Sequence, residues 1–325
     1  MIRIGEIRTG LIQNSNMISL DSSIQLLSSL AGVRPTVSQR PIRQVRSAPK
    51  FEGVDCFAPS AKGRKAGLVG TVECSASLTG NRIIQTSSTT TITRKVGKHR
   101  REQWSYYLAN PGMSELGSQF ETEELIESFL RTTPQPSVLD LGAIAERRMN
   151  EIQSNTTILD RRPPIRSSRS IVRWAHFDET VEAAESRFDI HFRIESDLMR
   201  TLYVHTMNAP TVMVDRFCEC IAYHDWLLTS VGRRVESIGH WAGQPHDLLP
   251  EVSPIIEHLL NLWMPMAHVP LGWSESWRAL EESVGFSREW ASYVETIRNF
   301  VTISTLRQLE ILREEIGKGP YEASP

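Results

Sequence analysis

The stretch APTVMVDRFCECIAYHDWLLTSVGRRVESI, residues 209–238, is the longest amphipathic run in this chain. Apolar side chains recur in it at spacings of three, four or seven residues, which places them along one side of a helix. The members of this stripe are Val214, Phe217, Ile221, Leu228, Val231 and Val235. Apolar positions off the stripe are Cys218, Tyr223, Trp226 and Leu227. We therefore predict a long helix that packs on two sides, within a layer of helices.

The composition excludes a largely disordered chain and a membrane-spanning one. With 325 residues, of which 40% are hydrophobic and 23% are charged, the chain can form two domains with separate cores. No apolar run of about 18 residues is present, and the first residues, MIRIGEIRTG, lack the apolar segment of a secretory signal. We expect a cytoplasmic protein without a membrane partner. Because Cys56, Cys74, Cys218 and Cys220 show no framework spacing, we expect reduced thiols.

Formal charge is distributed unevenly along the chain. Residues 1–175 carry 24 Lys and Arg against 15 Asp and Glu, a net charge of +9. Residues 176–325 carry 12 against 23, a net charge of −11. A basic half of this kind is typical of proteins that bind nucleic acid or another anionic partner. The asymmetry is equally consistent with head-to-tail self-association, or with two domains that neutralise each other.

A long β-hairpin is the clearest strand signal. Residues 66–78, AGLVGTVECSASL, alternate in hydropathy throughout, which is the period of a half-buried strand. The turn residues Thr79, Gly80 and Asn81 follow, and residues 82–94, RIIQTSSTTTITR, resume as a strand rich in threonine. Because this second strand is mostly polar, we predict that the hairpin has a solvated face or lies at a sheet edge.

Other strands and short helices are expected in the first 207 residues. The segments MIRIGEIRTG, SIVRWAHF, RFDIHFRIE and LMRTLYVHT have strand character. Short helices are predicted after Ser19, at residues 121–131 and at residues 139–153. Residues 33–50 and 160–169 combine arginines with prolines and are predicted to be basic, linker-like stretches.

Helical patterns follow the long helix to the end of the chain. Three segments keep helical spacing: one opens at Pro250 or Pro254, one covers Trp273 to Val284, and one starts at Ser287. The sequence therefore predicts an α+β fold with two domains. An N-terminal β-rich mixed domain with short helices covers residues 1–207, and an acidic C-terminal helical bundle covers residues 208–325.

Basic residues precede an aromatic cluster just after the hairpin. Lys95, Lys98, Arg100 and Arg101 lead into Trp104. Cations can follow phosphates while aromatic rings stack on bases, so the pattern suits single-stranded nucleic acid. No nucleic-acid-binding motif accompanies it, and we favour a basic loop that leads into an aromatic core anchor. Nucleic-acid binding, with help from the basic residues 161–173, is the alternative.

The sequence lacks the common catalytic motifs GxxxxGK[ST], GxSxG and HExxH. Cys220 and His224 lie four residues apart on the long helix, with Asp225 beside them, and offer groups for nucleophilic or metal chemistry. A buried cysteine above a hydrogen-bonded histidine is the simpler interpretation. Polar candidates in the loop that follows are His240, His246 and Asp247. We therefore expect neither a cofactor nor a metal ion.

Large apolar side chains are concentrated in the acidic half, at Trp263, Met266, Trp273 and Trp277. Tryptophan and methionine are typical both of helical cores and of interface centres. The leading hypothesis is a non-catalytic interaction or assembly subunit that docks a protein partner, or copies of itself, through the helical half. The alternatives are a nucleic-acid-binding protein that uses the basic half, and an enzyme or metal protein that uses Cys220 and His224.

Overall fold

The computed structural model describes residues 1–31, 33–60, 65–94, 101–117, 121–131, 133, 135–179, 188–207, 211–239, 248–267, 269–270 and 272–317. The strands are β1 (Ile2–Leu11), β2 (Thr36–Ser38), β3 (Gln44–Arg46), β4 (Lys50–Phe57), β5 (Gly67–Thr79), β6 (Ile83–Arg94), β7 (Met113–Leu116), β8 (Ser170–Glu179), β9 (Phe188–Ile194) and β10 (Met199–Met207). The helices are α1 (Leu20–Ala31), α2 (Trp104–Ala109), α3 (Thr122–Arg131), α4 (Leu141–Gln153), α5 (Thr211–Gly239), α6 (Leu249–His258), α7 (Ser274–Val284) and α8 (Phe286–Gly317). The sheet lies in the N-terminal two-thirds of the chain and the longest helices, α5 and α8, lie in the C-terminal part, which confirms the predicted α+β fold class.

The ten strands form one mixed sheet in the order β2-β3-β5-β7-β6-β1-β8-β10-β9, and β4 pairs with β5. The hairpin strands β5 and β6 pair only from Glu73 to Thr79 on one side and from Ile83 to Thr89 on the other. Where they separate, β7 inserts between them, antiparallel to β5 and parallel to β6. The three strands predicted before the long helix are present as β8, β9 and β10. The expectation of a plain connector at residues 33–50 missed β2, β3 and the start of β4.

The predicted hairpin is confirmed, but the prediction of a solvated face or an edge position was wrong. Strand β6 lies in the middle of the sheet, and its residues 83–92 are all buried. Its hydroxyl groups are satisfied by main-chain carbonyl groups: Thr86 donates to Ala145 at 3.0 Å and Ser88 donates to Leu141 at 2.6 Å. Both carbonyl groups belong to α4. A polar strand can therefore be buried because its side chains replace the hydrogen bonds that water would make.

The apolar core covers the side of the sheet that faces α3 and α4. Alternate residues of β1 and β5, such as Ile4, Leu68 and Val72, pack there with Leu125 and Leu141. A second cluster continues this layer toward α1; it includes Leu26, Leu27, Ile84 and Met149. The opposite side of β5 and β6 is mostly polar, because most of the alternate positions there are Ser, Thr, Glu or Gln.

Helix α5 confirms the long amphipathic helix predicted at residues 209–238. The six stripe residues and the four residues off the stripe are all buried. The chain divides by contacts into two compact units, Met1–Trp226 with Met264–Val284, and Leu227–Trp263 with Gly285–Pro325. The predicted domain boundary at residue 207 stays a prediction.

The second unit contains the last turns of α5 and the whole of α8. These helices approach closely at Gly232, where an added Cβ would lie 2.6 Å from the Oη atom of Tyr293. Nearby in the same unit, the rings of Trp263 and Trp290 stack with their centroids 4.5 Å apart. Within the described part of the chain, none of the helices combines the length and apolarity needed to span a bilayer.

Candidate functional site at helix α5

The first four turns of α5 carry three carboxylates, each paired with an arginine from the sheet. The pairs are Arg3 with Asp215, Arg46 with Glu219, and Arg200 with Asp225. Two nitrogens of Arg3 hold Asp215, at 2.7 and 2.5 Å. The Nε atom of Arg200 donates to Asp225 at 2.9 Å. Because these charges are largely buried, removal of either partner would leave the other charge unpaired in the protein interior.

Arg3 is the centre of a wider polar network. Its guanidinium also donates to the hydroxyl groups of Thr89 and Thr91, at 3.0 and 2.9 Å, and to Glu73 at 3.3 Å. The pKa of Asp215 is raised to about 6, chiefly by burial and less by the nearby carboxylates Glu219 and Glu73, while Arg3 opposes the shift. The network therefore links β1, β5 and β6 to the first turns of α5.

The structure brings the predicted catalytic candidates together at the middle of α5. The Sγ atom of Cys220 lies 3.5 Å from Nδ1 of His224, and the same nitrogen lies 2.8 Å from the carbonyl oxygen of Cys220. All three residues, including Asp225, are buried. Burial raises the pKa of the Cys220 thiol far above its ordinary value. This shift disfavours the thiolate that nucleophilic and metal chemistry needs.

A polar cavity of about 260 Å³ opens beside Cys220 in the first unit. Its lining residues are Gln44, Arg46, Thr79, Gln85, Arg216, Glu219, Cys220, Tyr223 and Pro270. The Nε2 atom of Gln44 donates to Thr79 at 3.1 Å, and that of Gln85 donates to the carbonyl group of Glu219 at 3.0 Å. Sequence spacing could not reveal this cavity, since its walls come from β3, β5, β6 and α5.

A second cavity, of about 380 Å³, lies between α3 and the strands β9 and β10. Ile126, Leu130 and the ring of Tyr203 form its apolar part. The His191 ring stacks on Tyr203 with a centroid separation of 6.2 Å. Two of the charged residues that line this cavity, Glu127 and Arg131, form an ion pair with each other at 2.7 Å.

The predicted partner-binding residues occupy different environments. Trp273 and Trp277 are buried in the first unit, where Trp273 contacts Phe217 with ring centroids 4.7 Å apart. Met266 is 43% exposed, and Trp263 is partly buried. Of the four, only Met266 offers a largely exposed side chain.

The basic and aromatic residues predicted for nucleic acid are only partly described. Lys95, Lys98 and Arg100 lie outside the described residues, as do the loop candidates His240, His246 and Asp247. Arg101 binds Asp55 at 2.7 Å and lies over the ring of Trp104, which is 42% exposed. Further along the basic half, two more arginines pair with carboxylates: Arg169 with Glu146, and Arg173 with Glu6.

The C-terminal half of α8 exposes large apolar side chains on several sides of the helix, which the sequence did not reveal. Six of its large apolar side chains are between 42% and 79% exposed: Ile303, Leu306, Leu309, Ile311, Leu312 and Ile316. The helical spacing of these residues was visible in the sequence, but their exposure was not. Leu309, Leu312 and Ile316 lie on one side of the helix, and clustered exposed apolar side chains are typical of interaction sites.

Searches for chemistry and for relatives are both negative. Among the residues that the structure describes, no group of three or more His, Cys, Asp or Glu side chains is placed to hold a metal ion. No protein-family model matches this chain, and neither the curated proteins nor the solved structures contain a significant match.

Proposed function

We propose that this protein is a non-catalytic assembly subunit, and that it docks a second copy of itself through one exposed apolar face of α8, formed by Leu309, Leu312 and Ile316. The observation that carries the proposal is the exposure of Leu309, Leu312 and Ile316, at 57%, 51% and 79%. Side chains of this size lose contact with water only when another surface covers them, and their burial stabilises an association.

The spacing of this face favours a helical partner of the same kind. Thr302, Thr305, Leu309, Leu312 and Ile316 alternate at intervals of three and four residues, which is the seam of a two-stranded coiled coil. The exposed charges around the seam include Glu310, Arg313 and Glu314. Because both signs are present, two copies can pair without a uniform like-charge repulsion, and a second copy supplies the matching seam.

The state of the groups on α5 also supports a non-catalytic role. Cys220 is held as a thiol, His224 donates to the main chain, and Asp225 is bound to Arg200. Nucleic-acid binding by the basic half, and an enzymatic or metal-binding role for Cys220 and His224, remain the alternatives.

The test is the oligomeric state of the full chain over a concentration series, measured by light scattering after gel filtration and by native mass spectrometry. We expect a dimer that Leu309→Lys and Leu312→Lys convert to a monomer. Ile311→Lys is the matched control, since Ile311 is also 57% exposed and lies on α8 outside the seam.

A wild-type chain that stays monomeric throughout the series would contradict self-docking. A dimer that Leu312→Lys and Ile311→Lys weaken equally would contradict the assignment to the seam. If the chain instead binds a different protein, and Leu312→Lys loses that binding while Ile311→Lys keeps it, then that protein and not a second copy is the partner of α8.

A further inference from the structure

Two glutamines on the wall of the polar cavity beside Cys220 each have a side-chain oxygen that accepts no hydrogen bond from the described residues. The Nε2 atom of Gln85 donates to both the Thr9 hydroxyl group and the Glu219 carbonyl group, at 3.2 and 3.0 Å. This leaves the Oε1 atom of Gln85 as an acceptor to which no described residue donates. Gln44 has the same arrangement, because its Nε2 atom donates to Thr79 and its Oε1 atom accepts nothing from the residues described.

Arg46 belongs to the same wall, but its guanidinium group is not available to a ligand there. Its two terminal nitrogens hold the carboxylate of Glu219, which neutralises both charges. Its Nε atom is buried and forms no hydrogen bond with any residue in the described part of the chain. An unsatisfied buried N–H group is costly, since it loses water without gaining a protein acceptor.

The Arg46–Glu219 pair is neutral overall, so Arg216 gives the lining residues of the cavity a net positive charge. Arg216, one turn before Glu219 on α5, adds a guanidinium that is exposed. An anion is therefore favoured in this cavity over a neutral or cationic molecule. A volume of about 260 Å³ suits a molecule of a few heavy atoms, smaller than most nucleotides or drug-like ligands.

We propose that this cavity binds a small hydroxylated anion, a hydroxycarboxylate or a phosphorylated polyol. Its anionic oxygens accept hydrogen bonds from the guanidinium group of Arg216. Its hydroxyl groups donate to the Oε1 atoms of Gln44 and Gln85. The proposal does not depend on α8 and goes beyond the assembly role.

The test is isothermal titration of the full chain with three probes, glycerate, glycerol 3-phosphate and glycerol, supported by thermal shift. We expect one or both anions to bind and to raise the melting temperature, whereas glycerol does neither. The anion that binds with the higher affinity shows whether the cavity prefers a carboxylate or a phosphate group. Acetate is a fourth probe, an anion without the hydroxyl groups.

Two variants assign the binding to this cavity. We expect Arg216→Gln to weaken the binding of the higher-affinity anion at least about tenfold, because a charged hydrogen-bond donor is lost. Its melting temperature without ligand is expected to stay unchanged, because Arg216 is exposed. Gln44→Leu is expected to remove the preference for glycerate over acetate. Arg298→Gln, an exposed position on α8 paired with Glu295, is the control and should bind as the wild type does.

Absence of anion binding would overturn the proposal. So would equal binding by the wild type and Arg216→Gln, or an equal loss in Arg216→Gln and Arg298→Gln, since either result would mean non-specific attraction to surface charge.

Discussion

Asp215 is subject to two opposing influences that can be separated by experiment. Arg3 holds its carboxylate at 2.5 and 2.7 Å and favours the ionised form. Burial has the larger effect and raises its pKa from 3.8 to about 6. An acid with a higher pKa in the folded than in the unfolded chain keeps its proton longer when folded.

The pH dependence of stability follows from this shift. Between about pH 4 and pH 6 the folded state binds more protons at Asp215 than the unfolded state does, so this residue's contribution to stability falls as pH rises. We expect the free energy of unfolding of the wild type, minus that of Asp215→Asn, to fall by about 2–3 kcal/mol across that interval. Urea unfolding of both proteins over a pH series measures the difference. A difference that rises with pH would show that the Arg3 pair outweighs burial.

Some side-chain contacts of α5 could be predicted from the sequence and others could not. The contact between Cys220 and His224 follows from their four-residue spacing on a helix, which the sequence analysis used. The arginine partners of α5 do not follow from any local pattern, because Arg46 is 173 residues from Glu219 and Arg3 is 212 residues from Asp215. Such pairs depend on the order of strands in the sheet.

At the scale of elements, the insertion of β7 into the β5–β6 hairpin requires a glycine. A Cβ atom at Gly70 would lie 2.2 Å from the carbonyl oxygen of Met113 and 2.4 Å from the Cα atom of Ser114. Both are main-chain atoms of β7, so a side-chain rotation cannot relieve the clash.

Gly70→Ala is therefore expected to destabilise the protein by about 1–3 kcal/mol, the usual effect of overpacking. Gly67→Ala, three residues earlier on β5, is the matched control, because a Cβ atom there would meet nothing within 4 Å. The control should be neutral or more stable by about 0.4–1 kcal/mol. Urea unfolding measures both values, and equal values for the two variants would argue against the insertion of β7.

Periodicity predicted the longer elements and failed for the others for identifiable reasons. Strand β4 is only half-buried and β7 has four residues, so neither shows a sustained alternation. The position of β6 was misjudged because hydropathy counts threonine as polar. It does not register that the carbonyl groups of α4 can accept from those hydroxyls, as Ala145 does from Thr86.

For the whole molecule, part of the uneven charge along the sequence is neutralised inside the first unit. Arg3 and Arg46 of the basic half bind Asp215 and Glu219 of the acidic half. A sheet without α5 would leave Arg46 without its carboxylate partner and Arg3 with Glu73 alone.

A fragment of residues 1–207 tests the domain boundary predicted there. We expect it to bind a hydrophobic dye and to unfold without a cooperative transition, because it lacks the carboxylates of α5 and the apolar stripe that α5 buries. The full chain, measured in parallel by circular dichroism during urea unfolding, should show cooperative loss of the first unit. A fragment that unfolds cooperatively would instead support an independent domain that ends near residue 207.

The composition of the buried strand β6 affects the register in which it pairs with its neighbours. Residues 85–91 of β6, QTSSTTT, are nearly uniform in size and polarity, so sliding the strand by two positions would change its middle very little. The mismatch would arise at its ends, where Ile84 and Ile92 would leave their sites in the apolar layer and one threonine and one arginine would replace them. Correct pairing of the central strand thus depends on two isoleucines eight residues apart, and their replacement by threonine should permit slipped forms.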